Sequence, residues 1–172
     1  MNMKKSSYSA VYPGSFDPFT MGHLDILRKA LPLFEKIYIG VLKNPAKKAA
    51  FTIEEKIDII EKVLEAEGIE NVEVCAFDGL TVDFCKEKGA NYIIRGLRSV
   101  TDFEYEFQLR AVNRHMSQSI DTMFFMSSIK YSYLSSSIVR EMAENGADIK
   151  TFVHPVTLDM INKKLHKEEN HR

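Results

Sequence analysis

Tyr12-Pro13-Gly14-Ser15-Phe16-Asp17-Pro18-Phe19-Thr20-Met21-Gly22-His23 is a turn-rich stretch set between an apolar, strand-like run and a segment with helical periodicity. A strand, a glycine-bearing loop and a helix start, in that order, open a βα unit, and this loop suits a nucleotide phosphate. Gly14 and Gly22 permit backbone angles and close approaches that a side chain would block, Ser15 offers a hydroxyl, and His23 stands where the helix begins. The first N–H groups of a helix are unpaired and carry the positive end of its dipole, so an anion settles there.

Outward from that loop, strand-like and helix-like segments alternate. Short runs rich in β-branched and aromatic residues predict strands over 8–12, 37–42, 72–77, 92–94 and 122–126. Between them, a helix is expected over 22–31, ended or kinked by Pro32, which has no N–H to donate. Thr52 and Glu55 have capping-box spacing, Ile53, Ile57, Ile60 and Leu64 form one apolar face, and Gly68 is placed to stop that helix. Further helices are expected over 80–88, 101–116 and 136–145, and a last one from near Pro155 toward a frayed charged tail at 167–172. Such alternation predicts an α/β fold, a doubly wound five-stranded parallel sheet with right-handed crossovers and helices on both faces.

With 172 residues and 45% hydrophobic content, one core and a single domain over 1–172 are expected. A net charge of -1 argues against an electrostatic stripe for long nucleic acids and favours a small partner. Cys75 and Cys85 lack CxxC spacing and nearby histidines, so reduced thiols are expected rather than a metal site or a disulfide. No run approaches the roughly 20 apolar residues of a membrane span, and the start has no apolar signal stretch. A soluble, cytoplasmic protein is the expectation.

In a doubly wound sheet, ligands bind beyond the carboxyl ends of the strands, where the strand order reverses. Every polar cluster of the chain falls on that rim: the Gly14 loop, Lys43 to Lys48, Asp78 to Thr81, Arg95-Gly96-Leu97-Arg98, and Ser127 to Ser137. One histidine, several cations and many hydroxyls, without GxSxG or paired carboxylates, argue against a protein nucleophile. They suit nucleotidyl or phosphoryl transfer, where positioning and charge stabilisation do most of the catalysis. Neither GxxxxGK[ST] nor GxGxxG occurs, so P-loop hydrolysis and hydride transfer lose support.

Gly14-Ser15-Phe16-Asp17-Pro18, Thr20-Met21-Gly22-His23, Arg95-Gly96-Leu97-Arg98, Asp102-Phe103-Glu104-Tyr105-Glu106 and Ser135-Ser136-Ser137-Ile138-Val139-Arg140 together resemble the bacterial phosphopantetheine adenylyltransferases over nearly the whole chain. TxGH alone is shared with a wider nucleotidyltransferase superfamily, whereas RGLR with DFEYE is more specific. The resemblance implies a Rossmann-like fold and transfer of AMP from ATP to 4'-phosphopantetheine. It also implies magnesium with the ATP, a homohexamer, and coenzyme A as a feedback ligand. Its catalytic set is His23, Ser15, Lys47 and Arg98, with His23 stabilising the transition state at the α-phosphate. Ser15, Phe16, His23, Gly96, Leu97, Arg98 and Glu106 would bind ATP, and Tyr131, Ser132, Tyr133, Leu134, Ser135, Ser136 and Ser137 would form a loop closing over it. Ser15, Lys47, Thr81 and Arg95 would bind the acceptor. Ser15 stands where many relatives carry threonine, and Tyr131 where others carry tryptophan.

Blander readings stand beside these. His23 can be a helix cap, Asp17-Pro18 turn chemistry outside the site, and Lys47 a solvated loop lysine. Arg95 and Arg98 can pair with Asp102 and Glu104, Ser135 can cap the following helix, and Glu106 can be an exposed helix carboxylate. Two other functions fit the loop: transfer to another phosphorylated acceptor, against which RGLR and Thr81 argue, and a non-catalytic sensor of coenzyme A or nucleotide.

Overall fold

β1 (Ser9–Gly14) is the middle strand of a five-stranded sheet with β2 (Lys36–Leu42) and β3 (Val72–Phe77) on one side and β4 (Tyr92–Leu97) and β5 (Asp121–Met126) on the other. All four pairings are parallel. The computed structural model describes residues 7–43 and 49–165; Lys47, Lys48 and the 167–172 tail lie outside the described residues. The helices are α1 (Met21–Ala30), α2 (Ile53–Ala66), α3 (Thr81–Glu87), α4 (Val100–Met116), α5 (Ser136–Glu144) and α6 (Leu158–Leu165).

Because side chains alternate along a strand, neighbouring residues of β1 serve two apolar layers. Ala10 and Tyr12 join Leu24 and Leu27 of α1, Ile59 and Ile60 of α2, and Ile161 of α6, whereas Val11 joins Ile93 of β4 with Val82 and Cys85 of α3. A central strand covered on both faces must be apolar on both, which is why β1 and β4 read as continuous hydrophobic runs. The expected architecture of a parallel sheet with helices on both faces is the one observed.

Local signals set the element ends. Thr52 accepts from the Glu55 N–H while Glu55 accepts from the Thr52 N–H, the full capping box. Gly68 closes α2 with φ +64, a left-handed turn that glycine adopts without steric cost. Pro32 ends α1 in a short 3-10 turn, Leu31–Leu33. β4 extends three residues past the expected Ile94, because Arg95, Gly96 and Leu97 pair with Phe124, Phe125 and Met126 of β5. Most of RGLR is therefore strand end rather than loop. Both cysteines are free, and burial pushes the Cys85 thiol up to about 12. No helix of the described residues is long and apolar enough to cross a membrane.

Candidate active site

The strand order reverses between β1 and β4, which run side by side while their connections leave in opposite directions. Beyond their carboxyl ends opens a cavity of about 340 Å3, walled by the Gly14–His23 loop, the end of β4, Glu106 of α4 and Ser135 to Ser137. Gly14 is required at its floor: a Cβ there would lie 2.8 Å from the Phe16 ring. Phe16 takes a left-handed φ of 43 with its side chain 1% exposed. Its buried ring anchors that backbone turn, leaving Ser15 on the cavity wall.

His23 is held by α1's own cap. Thr20 is the N-cap, and its backbone N–H donates to Nδ1 of His23 at 3.0 Å while its hydroxyl accepts from the His23 N–H. Histidine thus takes the third-position role usually filled by Glu or Gln in a capping box. A ring nitrogen that accepts from a backbone N–H carries no proton, so the neutral ring has its hydrogen on Nε2. The ring stacks on Phe19 at 5.4 Å and meets Phe16 edge-on at 5.1 Å. Burial, reinforced by the nearby Arg98 and Arg95 charges, lowers its pKa to about 4. His23 is both the cap of the bland reading and a fixed neutral donor on the cavity wall.

Arg95 and Arg98 each hold a carboxylate. Arg95 Nε donates to Glu106 at 2.7 Å, a second nitrogen bonds the same carboxylate, and Nη1 donates to the Pro13 carbonyl at 3.2 Å. Burial opposes the Arg95 charge, and Glu106 outweighs it, so the arginine pKa is raised. Glu106, for which the sequence also allowed an exposed helix carboxylate, is 8% exposed and bound to Arg95. Arg98 donates from Nε to Asp102 at 3.0 Å and from Nη1 to the Leu134 carbonyl at 3.2 Å. The expected Asp102 partner is right for Arg98, and Glu104 belongs to neither pair. A guanidinium has five N–H donors, so both arginines keep donors for an incoming phosphate.

The segment before α5 divides in two. Tyr131, Leu134, Ser135, Ser136 and Ser137 line the cavity. Ser132 turns back to the Ile129 carbonyl at 2.8 Å, and Tyr133 packs edge-on against Phe152. Ser135 caps α5 by accepting from the Ile138 N–H, as expected. Asp25 of α1 holds the start of the segment, accepting from the Ser128 N–H at 2.8 Å, the Ser128 hydroxyl at 2.7 Å and Lys29 at 2.8 Å. Partial burial raises the Asp25 pKa less than these bonds lower it.

Gly96 lines the cavity, and its missing side chain lets Ile26 of α1 close on β4; a Cβ would sit 2.8 Å from Ile26 Cγ1. Leu97 is buried beneath, its carbonyl accepting from the Ser127 N–H at 2.8 Å. Thr81 opens α3 and lines neither this cavity nor a neighbouring one of about 590 Å3, which shares Ser15, Ser136 and Ser137 with it. Lys47 lies outside the described residues. Thr20 was not singled out, though its spacing to His23 was the available signal; nor was Asp25, which bonds Ser128 far along the chain as well as the nearby Lys29, and Asp17, read as turn chemistry outside the site, takes partners distant in sequence. Among the described residues, no three His, Cys, Asp or Glu side chains are grouped to hold a metal ion.

Residues 11–142 match the cytidylyltransferase-like family. The chain is 51% identical to the phosphopantetheine adenylyltransferase of Lachnoclostridium phytofermentans over 154 residues, 90% of this chain and 93% of the relative. It is 47% identical to that of Caldanaerobacter subterraneus subsp. tengcongensis, covering 92% and 98%. Among solved structures, the fold is similar to a Plasmodium falciparum nicotinic acid mononucleotide adenylyltransferase, with TM-score 0.68, 17% identity and coverage of 92% and 96%. It is similar also to a bifunctional NMN adenylyltransferase/ADP ribose pyrophosphatase from Francisella tularensis, with TM-score 0.72, 18% identity, 95% of this chain and 51% of that one. At such identities these two likenesses speak to the fold alone.

Proposed function

This chain belongs to the phosphopantetheine adenylyltransferases and is an adenylyltransferase of coenzyme A biosynthesis, and we propose that the cavity at the ends of β1 and β4 is where AMP passes from ATP to 4'-phosphopantetheine. An oxygen of the acceptor phosphate attacks the α-phosphorus in line. The bond from that phosphorus to the β-bridging oxygen breaks, and pyrophosphate leaves with the electron pair, giving dephospho-coenzyme A without a covalent enzyme intermediate.

The observation that carries this reading is the neutral His23 with Nδ1 engaged by Thr20. A ring already protonated on Nε2 is no base, and the reaction needs none, because the acceptor phosphate is itself anionic. It needs a fixed donor where negative charge builds on the α-phosphate, and such a donor costs no reorganisation during the reaction. Ser15 supplies a second donor from the same loop. Arg98 serves the nucleotide phosphates, and Arg95, steered by Glu106, takes the acceptor phosphate with Lys47. Tyr131 to Ser137 close over the nucleotide in this reading, whereas Thr81, which lines neither cavity, reaches the acceptor's arm only outside them. Magnesium arrives as MgATP and is part of the substrate, carried on the phosphate oxygens.

A homohexamer with coenzyme A as feedback ligand completes the proposal. Support for self-association comes from α4, which leaves Phe103, Tyr105, Phe107, Val112 and Met116 in solvent, a larger apolar display than one isolated helix face explains. The test is pyrophosphate release from ATP and magnesium, offered 4'-phosphopantetheine, nicotinamide mononucleotide or a sugar phosphate in parallel. Release with the pantetheine acceptor alone is expected. Release with another acceptor alone, or nucleotide binding without turnover, rejects the reading.

A further inference from the structure

Asp17 is 6% exposed, and its carboxylate joins four segments. Its oxygens accept from the backbone N–H groups of Ala50 and Phe51, each at 3.0 Å. Lys56 Nζ lies 3.4 Å from Oδ1, itself 4% exposed, and Arg140 of α5 reaches Oδ2 at 3.2 Å while also bonding the Asp17 carbonyl. Beside it, the Ser136 hydroxyl donates to the Pro18 carbonyl at 2.8 Å. One carboxylate therefore ties the loop after β1, the chain entering α2, the α2 helix and the N-terminal half of α5.

Local turn chemistry does not account for this. An aspartate that shapes its own turn bonds a backbone group one or two residues away, whereas the partners of Asp17 lie 33 or more residues along the chain. Charge makes the arrangement stable. Lys56, among the described residues, meets no other carboxylate within salt-bridge distance, and a buried ammonium with no counter-charge is strongly disfavoured. Asp17 lines the second cavity beside Ser15, Ser136 and Ser137, which line both, and stands two residues from Ser15 and three from Thr20, which orients His23.

We propose that Asp17 is a positioning residue for the transfer: its carboxylate clamps the Ser15–His23 loop to α5 and to residues 50–51, setting Ser15 against Ser136 and Ser137. The inference rests on the adenylyl-transfer reading for its turnover prediction, and on nucleotide binding for a second readout. In-line transfer depends on sub-ångström placement of donors around one phosphorus, so loosening the clamp costs turnover even when the protein stays folded.

Asp17→Asn keeps the shape but leaves Lys56 and Arg140 without the anion, so it should lower both melting temperature and kcat. Asp17→Asn combined with Lys56→Met removes the orphaned ammonium at similar volume. That double variant is expected to recover most of the lost melting temperature while kcat stays at least tenfold below wild type and ATP binds at least tenfold more weakly. Recovery of turnover along with stability would reduce Asp17 to a packing role and overturn the assignment. A double variant that stays as unstable as Asp17→Asn overturns it too, since the cost would then lie in the fold. Should wild type release no pyrophosphate with 4'-phosphopantetheine, the functional reading fails by itself. The Asp17 assignment is then decided by ATP affinity, a loss of at least tenfold upholding it and unchanged affinity in the double variant overturning it.

Discussion

At the scale of single residues, the proposed chemistry turns on a histidine that does not titrate near neutrality. If His23 is the donor proposed for the α-phosphate, His23→Ala removes an interaction worth on the order of 3 kcal/mol, so kcat should fall at least about 100-fold while the circular dichroism spectrum is kept. A turnover within a few-fold of wild type would remove His23 from the chemistry. The low pKa has a consequence for stability as well. His23 titrates near 6.5 when unfolded and at about 4 when folded, so between those values the unfolded chain binds more protons and stability drops as pH falls. At pH 5 that loss is about 2 kcal/mol. His23→Gln keeps an acceptor for the Thr20 N–H but does not titrate, so its unfolding free energy should fall less than wild type's between pH 8 and pH 5, by that amount. Equal pH dependence in denaturant titrations would refute the neutral ring. Arg95→Ala should raise the KM for the acceptor by about tenfold or more, having lost a charge-assisted bond and left Glu106 facing a phosphate. Arg95→Ala with Glu106→Gln should regain part of it, and a rise confined to the KM for ATP would reassign Arg95 to the nucleotide.

Among elements, α1 closes tightly on β4 at the cavity, where Ile26 meets Gly96. Gly96→Ala places a methyl group 2.8 Å from Ile26 Cγ1, and overpacking of that kind costs about 1–3 kcal/mol. Ile26→Ala makes room, so in a double-mutant cycle the pair should lose less stability than the two single losses added together. Strict additivity would mean that the helix simply moves away. The same contact shows what is legible in a sequence at this scale. The far end of α1 and both ends of α2 follow from Pro32, Thr52 and Gly68, because caps and breakers act within a few residues. The true end of β4 does not, because Arg95, Gly96 and Leu97 are strand only by pairing with β5, which lies some thirty residues on.

For the molecule as a whole, the alternation of elements was enough to anticipate the parallel sheet and the rim on which the polar clusters meet. The pairings inside the site were less accessible. Arg95 with Glu106, Asp25 with Ser128 and Asp17 with Phe51 are chosen by the closing of the sheet, and nothing local to either partner marks them. The apolar side chains left exposed on α4 belong to this scale too. Phe107→Glu with Val112→Glu, at positions 51% and 53% exposed, should shift sedimentation toward smaller species while leaving the monomer's helix content intact. An unchanged sedimentation coefficient would place any self-association elsewhere. The chain contains no tryptophan, and Tyr131 stands on the cavity wall with Lys130 Nζ 4.6 Å from its ring centre. Tyr131→Trp would make one indole the sole long-wavelength emitter of the entire protein, so, if nucleotide binds in this cavity as proposed, its fluorescence would report arrival and departure in real time without any attached dye.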